Sequence, residues 1–376
     1  MKHIVSLLIF ILIASACERK ETIVSQEWSN DTALKVVDVI KFPLDSLTKR
    51  YGNKMSFSQR ESKLYLYNNY THSFYQYSLS APEEYRIISL NKEGPNRIGK
   101  VDAFFAISED SIITINSGSS KIAIVNASSE KIYEAQILGS NENGLPLMFT
   151  IDYRNGQVYV PLSSYAKTKN SLKRKNVLIY NLKTREKNFI IDTPDQYADI
   201  KDWADRFHVK NGTLVGDDHY AFSWSPGKLY VAYNLRENSS RQVNFTSELI
   251  ADAKKADKIL TDRLENRYFQ RTNTWNQSIY YSDYGGLILR PFSIGKNIPE
   301  GTQDLYGDFK SLNNDDIFEI TEIYNKRFEK VGELLGVSFL NNLFDTADGI
   351  YIEDYSVDPE DENVMAFKLY QVDEIN

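Results

Sequence analysis

The stretch NVLIYNLKTREKNFII, residues 176–191, decides how the chain is read. An apolar run ends in Tyr180-Asn181-Leu182, polar residues follow, and a second apolar run begins at Phe189. Aliphatic and aromatic side chains on either side of a polar break suit two pleated strands joined by a turn. The same grammar recurs in SFYQYSLSAPEEYRIIS (73–89), KIAIVNASSEKIYEAQI (121–137), KLYVAYNLRENSSRQVNF (228–245) and IFEITEIYNKRFEKVGEL (317–334), and, cut short, in VMAFKLYQVDEI (364–375). Tyr77, Val125, Tyr180, Tyr233, Tyr324 and Tyr370 hold corresponding places, at intervals of 48, 55, 53, 91 and 46 residues, the longest interval containing an insertion.

A second hairpin pattern precedes most of these units: MSFSQRESKLYLYN (55–68), AFFAISEDSIITIN (103–116), FTIDYRNGQVYVP (149–161), SIYYSDYGGLILRPF (278–292) and FDTADGIYIEDY (344–355). His208–Trp224 supplies a less regular one. Arg154-Asn155-Gly156, Gly285-Gly286 and Asp348-Gly349 are turn signals. Two hairpins make four strands, and a period of about 45–50 residues with four strands per unit is the pattern of a propeller blade. The expectation is an all-β, six-bladed β-propeller over residues 33–376, with blades at 55–90, 103–138, 148–191, 207–245, 268–335 and 337–376. The last blade lacks an outer strand. ALKVVDVIKF (33–42) is an unpaired strand pattern that would complete it and leave no open edge. Ile317, Ile320, Ile323, Phe328 and Val331 also fit helical spacing, but the match of 315–336 to the repeat favours two strands.

Strand alternation places the turns inside the two hairpins of each blade on one rim, and the other connections on the opposite rim. The long segments 161–175, 195–207, 247–268 and 294–315 are all of the second kind. Long loops in a compact domain are where function concentrates. Two of them read as short helical insertions: Leu249, Ala253, Ala256, Leu260 and Leu264 form one stripe with Ser247 as a cap, and Tyr197, Ile200, Trp203 and Phe207 form another. Packing on the propeller face or walling a pocket would both use such stripes.

The N-terminus supplies an address. Residues 1–16, MKHIVSLLIFILIASA, run from a basic start through an apolar stretch to small residues, the layout of a secretory signal. The apolar run is too short to span a bilayer, which takes roughly 20 residues. Cys17, the single cysteine, follows at once. The arrangement resembles the bacterial lipobox, with Ala14 where Leu is commonest. That resemblance implies cleavage before Cys17 and acylation of its sulfur and new amino group, which would anchor the protein at about 0.8 kcal/mol per buried CH₂. Residues 17–32 then form a polar tether, and no intrachain disulfide can support the fold. Glu18 near the cysteine is similar to the surface-export signal of Bacteroidota lipoproteins, which carries more acids in a row.

Without residues 1–16 the chain has 43 basic and 51 acidic residues, a balance that argues against nucleic acid as a partner. Asp217, Asp218 and His219, with His208 close in sequence, are the candidate catalytic cluster, although turn residues of a strand pair would look the same and no metal-binding spacing is present. No metal or cofactor is expected. Lys167, Lys169, Lys173, Arg174 and Lys175 form a basic patch suited to an anionic glycan, head group or acidic partner. Tyr165, Trp203, Trp224 and Trp275 would stack on sugar rings or pack between blades. Tyr165, Lys173, Arg174, Lys175, Trp203 and His208 are therefore the candidate ligand-binding residues. Asp358, Glu360, Asp361 and Glu362 offer oxygens of the kind calcium takes, without EF-hand spacing. Asp31-Thr32-Ala33, Asp45-Ser46-Leu47, Asp110-Ser111-Ile112 and Asp345-Thr346-Ala347 are similar to Bacteroidota O-glycosylation sites. No phosphate loop, nucleophile elbow or zinc-protease helix occurs.

With the lipobox, EGPNRIG at 93–99, the six units and the YNKRFEKVGEL hairpin, the whole mature chain resembles the six-bladed propeller-like lipoproteins of Bacteroidota, a family of unknown function. The resemblance carries over no catalytic residue. The expected function is that of a lipid-anchored outer-membrane binding or scaffold protein, on the periplasmic or cell-surface side. It would engage a glycan, peptide or envelope protein through the long-loop rim. The alternative is a glycan-active hydrolase or lyase with its site at the mouth of the central channel.

Overall fold

The computed structural model describes residues 34–48, 50, 54–139, 145–146, 150–163, 175–194, 210–224, 229–244, 275–276, 278–294, 318–335, 342–357 and 361–372. The chain enters through β1 (Leu34–Pro43). Blade 1 is β2 to β5 (Lys54–Ser58, Lys63–Asn68, Ser73–Ser78, Ala81–Ser89) and blade 2 is β6 to β9 (Ala103–Ser108, Ser111–Asn116, Lys121–Val125, Lys131–Gln136). In blade 3 the inner strand is split into β10 (Leu145–Pro146) and β11 (Asp152–Arg154), followed by β12 (Gln157–Ser163), β13 (Lys175–Asn181) and β14 (Lys187–Asp192). Blade 4 is β15 to β18 (Lys210–Val215, His219–Trp224, Leu229–Asn234, Ser239–Asn244). Blade 5 again has a split inner strand, β19 (Trp275–Asn276) and β20 (Tyr280–Ser282), then β21 (Leu287–Ile294), β22 (Phe318–Asn325) and β23 (Lys330–Leu335). Blade 6 is β24 (Leu343–Thr346), β25 (Gly349–Glu353), β26 (Val364–Val372) and, as its outer strand, β1. All pairings are antiparallel, and the only helical element among the described residues is a 3-10 turn at Tyr284–Gly286.

Six apolar cores close the six sheets into a ring, one at each seam between neighbours. Tyr67, Phe74 and Phe104 pack between blades 1 and 2. Ile115, Val160 and Tyr180 do so between 2 and 3, and Tyr159, Phe222 and Tyr233 between 3 and 4. Tyr230, Ile288 and Tyr324 fill the seam between 4 and 5, and Leu289, Ile352 and Tyr370 that between 5 and 6. Phe42, Tyr77 and Phe367 join blade 6 back to blade 1. The expected six-bladed propeller is therefore found. Its repeated Tyr, with Val125 in its place once, is buried at a seam in every blade. Segment 318–335 forms two strands, as the hairpin repeat indicated.

The Asn after the repeated Tyr sets the turn. Asn181 Oδ1 accepts from the backbone N–H groups of Lys183 and Thr184 at 2.9 and 3.0 Å, and Asn234 does the same for Arg236 and Glu237 at 2.9 Å each. Asn126 and Asn325 make equivalent contacts. A side-chain oxygen that satisfies two turn donors lets the strand end without orphaned N–H groups. The next residue ties the two hairpins together: Leu182 N–H donates to Gly156 and Leu235 N–H to Asp218. At Gly349, φ is +150° and an added Cβ would stand 2.4 Å from the Tyr370 carbonyl oxygen, so glycine is required where β25 starts against β26.

β1 runs alongside β26 from Leu34↔Val372 to Pro43↔Val364 with one bulge at Val37, completing the last blade as the sequence pattern indicated. The expected helical insertions at 195–207 and 247–268 lie outside the described residues, as do residues 1–33 with Cys17. Among the described residues no helix is long and apolar enough to cross a membrane.

Candidate functional site

The strand ends fix two unlike rims. β12 ends at Ser163 and β13 resumes at Lys175; β14 ends at Asp192 and β15 starts at Lys210. β18 ends at Asn244 before β19 at Trp275, and β21 ends at Ile294 before β22 at Phe318. Pairs such as Pro161↔Val177, Lys175↔Asp192 and Ile294↔Phe318 show that these departures and returns share one rim. Among the described residues the opposite rim carries the short hairpin turns together with Leu34, where β1 starts, and Val372, where β26 ends. Of the expected ligand-binding residues, Tyr165, Lys173, Arg174, Trp203 and His208 lie outside the described residues. Lys175 is exposed on the long-loop rim and forms an ion pair with Asp192 at 2.8 Å. Trp224, weighed as a sugar platform, is buried in the seam between blades 3 and 4 against Phe222.

Asp217, Asp218 and His219 sit on the short-turn rim, so they do not share a rim with Lys175. They also separate from one another. Asp217 and Asp218 face blade 3 and line a cavity of about 410 Å³ with Arg154, Asn155, Gln157, Tyr159, Leu235 and Arg236. His219 turns to the other side of its sheet and meets the Phe328 ring of blade 5, centroids 5.5 Å apart. Asp218 is paired with Arg236 at 2.5 Å, and Arg154 donates to the Gly216 carbonyl. The three residues therefore do not form one acid-base centre. Tyr159, stacked on Tyr220 at 5.5 Å, forms part of the cavity wall, and its hydroxyl donates to Gln157 at 3.0 Å.

Sequence reasoning missed a set of half-buried acids that join neighbouring blades. Asp152 of β11 accepts the Leu214 N–H of blade 4 at 3.1 Å, and burial pushes its carboxyl up to about 7. Asp345, weighed as part of a glycosylation triplet, accepts from the Tyr284 N–H and the Ser282 hydroxyl at 3.2 Å each, stitching blade 6 to blade 5. Both stand on inner strands, facing a neighbour that is distant in sequence, and no local pattern marks them.

Glu353, at the long-loop end of β25, is buried and takes bonds from Asn342 Nδ2 at 2.5 Å and the Tyr355 hydroxyl at 3.0 Å. Burial raises its carboxyl to about 7, against a partial offset from the Asn342 and Tyr355 hydrogen bonds and, less, from the Arg50 charge. Its folded state holds a proton more tightly than its unfolded state. The neutral form is tolerated fully below pH ~4.5, and the stabilisation is lost as pH rises through ~7, a loss of about 3 kcal/mol. Glu353→Gln keeps an acceptor for Asn342 and Tyr355 and removes the charge. Urea unfolding should show the variant more stable than the parent at pH 8, with the difference vanishing toward pH 4. A difference that does not change with pH would refute this assignment.

The acidic segment after β25 is organised by a cation from the chain itself. Arg50 donates to the carbonyls of Asp354, Tyr355 and Asp361 at 3.4, 3.5 and 3.3 Å, and to that of Val357. Its guanidinium stands where these carbonyls converge. Among the described residues no cluster of three or more His, Cys, Asp or Glu is placed to hold a metal.

The sequence family described as "Domain of unknown function (DUF4221)" matches residues 32–291. A crystal structure of a DUF4221 member from Bacteroides vulgatus is 15% identical, with a TM-score of 0.73 over 92% of this chain and 99% of that one. A Bacteroides fragilis protein whose name proposes export is 11% identical, with a TM-score of 0.55 over 92% of this chain and 98% of that one. No curated protein matches. At these identities the structural likeness concerns the fold.

Proposed function

The chain belongs to the DUF4221 family, and from that premise we propose that it is an exported, lipid-anchored binding propeller that meets its partner through the long-loop rim. One observation carries the reading: the segments between Ser163 and Lys175, Asp192 and Lys210, Asn244 and Trp275, and Ile294 and Phe318 all leave from the same rim, while the described residues of the other rim are short turns and the strand ends Leu34 and Val372. A propeller supplies a rigid base on which loops can vary, which is the usual arrangement of a recognition surface. The signal-like start and Cys17 support anchoring in the outer membrane, on its periplasmic or surface side, and the name of the Bacteroides fragilis relative supports export. Binding is preferred to catalysis because Asp218 is committed to Arg236 and His219 to Phe328. The partner class is a glycan, a peptide or an envelope protein.

The test has two arms. Cys17→Ser should move the protein from the membrane fraction to the soluble fraction. Replacing residues 164–174, 195–208, 246–273 and 296–316 in turn by short Gly-Ser links should abolish envelope cross-links to the anchored protein while leaving its unfolding transition in place. Cross-links that survive all four replacements would overturn the reading.

A further inference from the structure

Two seams of the ring are built from the same positions, and one of them has neutral residues where the other has Lys63 and Arg86. Lys63 opens the second strand of blade 1 and Gln157 opens that of blade 3. Glu109 stands two residues before the second strand of blade 2, and Asp217 two before that of blade 4. In the seam between blades 1 and 2, Lys63 Nζ lies 3.0 Å from Glu109 Oε2, and Arg86 Nη1 lies 3.8 Å from the same oxygen. The Glu61 carboxylate closes the seam from above by accepting the Glu109 N–H at 3.0 Å.

Strand register gives the counterparts between blades 3 and 4. Tyr77↔Tyr85 and Gln76↔Arg86 in blade 1 correspond to Tyr180↔Lys187 and Ile179↔Asn188 in blade 3. Lys63, Arg86 and Glu61 are thus replaced by Gln157, Asn188 and Asn155, all neutral. Gln157 does not cross the seam; it accepts from Tyr159 on its own strand. Of the four charged residues lining the cavity, Arg236 is committed to Asp218 and Arg154 to the Gly216 carbonyl. Asp217, exposed at the mouth, has no hydrogen-bond or ion-pair partner among the described residues. Where the first seam is filled by a lysine, this one holds the cavity of about 410 Å³.

We propose that this cavity receives a lysine side chain from a peptide or protein partner, its ammonium meeting Asp217 as Lys63 meets Glu109. The apolar stem would lie against Leu235 and Tyr159, which leaves the charged tip at the carboxylate. The two arginines and two aspartates of the lining balance in charge, so attraction of a basic segment rests on Asp217 itself and on the acidic balance of the whole chain. This site is on the rim opposite the long loops, so it stands or falls independently of the partner proposed for that rim.

Saturation-transfer NMR with the full chain and the peptide acetyl-Gly-Lys-Gly-amide tests it. Transfer to the lysine methylenes is expected, with at least tenfold weaker binding for the Nε-acetylated peptide and for Asp217→Asn. Gln157→Lys should supply the missing cation in cis: the variant unfolds at or above the parental temperature and no longer binds the peptide. Absence of transfer to the lysine peptide overturns the proposal. So does binding that is unchanged by acetylation, by Asp217→Asn or by Gln157→Lys.

Discussion

A chain lacking residues 34–43 is expected to show no cooperative unfolding transition. β1 is the fourth strand of blade 6 and contributes to two seams at once, through Leu34 between blades 5 and 6 and through Phe42 between blades 6 and 1. Phe42 is fully buried, edge-on to Tyr77 at 5.2 Å and to Phe367 at 5.8 Å. Removing the strand would open the edge of β26 and expose the last seam, and exposed edges of this kind invite aggregation. The graded form of the experiment is Phe42→Ala, which should cost about 3–5 kcal/mol in urea unfolding, as for other large aromatic deletions in cores. A deletion that unfolds with the parental midpoint would mean that the ring closes some other way.

The second large effect is expected at Arg290. Its side chain is fully buried in β21, with its guanidinium 5.1 Å from the Tyr230 ring centre and 4.8 Å from that of Phe292. It stands opposite Glu322 in strand register, and Glu322 is equally buried. The Tyr324 hydroxyl donates to Glu322 at 2.6 Å, and Lys330 lies 3.6 Å away. Burial already pushes the Glu322 carboxyl upward, while Arg290 opposes that rise. Arg290→Ala would leave the buried Glu322 carboxylate with Lys330 as its one remaining cation among the described residues, and removing one partner from a buried charged group costs up to about 3–5 kcal/mol. Replacing both partners, Arg290→Met with Glu322→Gln, should recover most of the loss, because no uncompensated charge remains. Equal destabilisation by the single and double variants would show that packing, not charge, holds the site.

The fold was legible because its signals are local and repeated. Tyr180-Asn181-Leu182 encodes a seam residue, a turn acceptor and an inter-hairpin bond within three positions; the seam residue returns in every blade and the Asn acceptor in blades 2 to 5. The closing strand could be read because blade 6 was one strand short while 33–42 had strand character and no partner. The site was less legible, because its contacts join positions far apart in sequence. Asp217 and Arg154 line one cavity from two different blades, and Arg50 reaches carbonyls more than 300 residues away. Asp217, Asp218 and His219 looked like one cluster because they are adjacent, yet successive strand residues point to opposite faces, and His219 leaves the group for blade 5. The vacancy at Gln157 emerges only when one blade is laid over another in register.

Amide hydrogen exchange of β1 in the full chain tests the ring most directly. If β1 is the outer strand of blade 6, the amides of Leu34–Phe42 that face β26 exchange as slowly as those of β25, and they lose protection together with blade 1 as urea is added. Exchange of those amides at the rate of an unstructured chain, with β25 and β26 still protected, would contradict the closure on which the two rims depend.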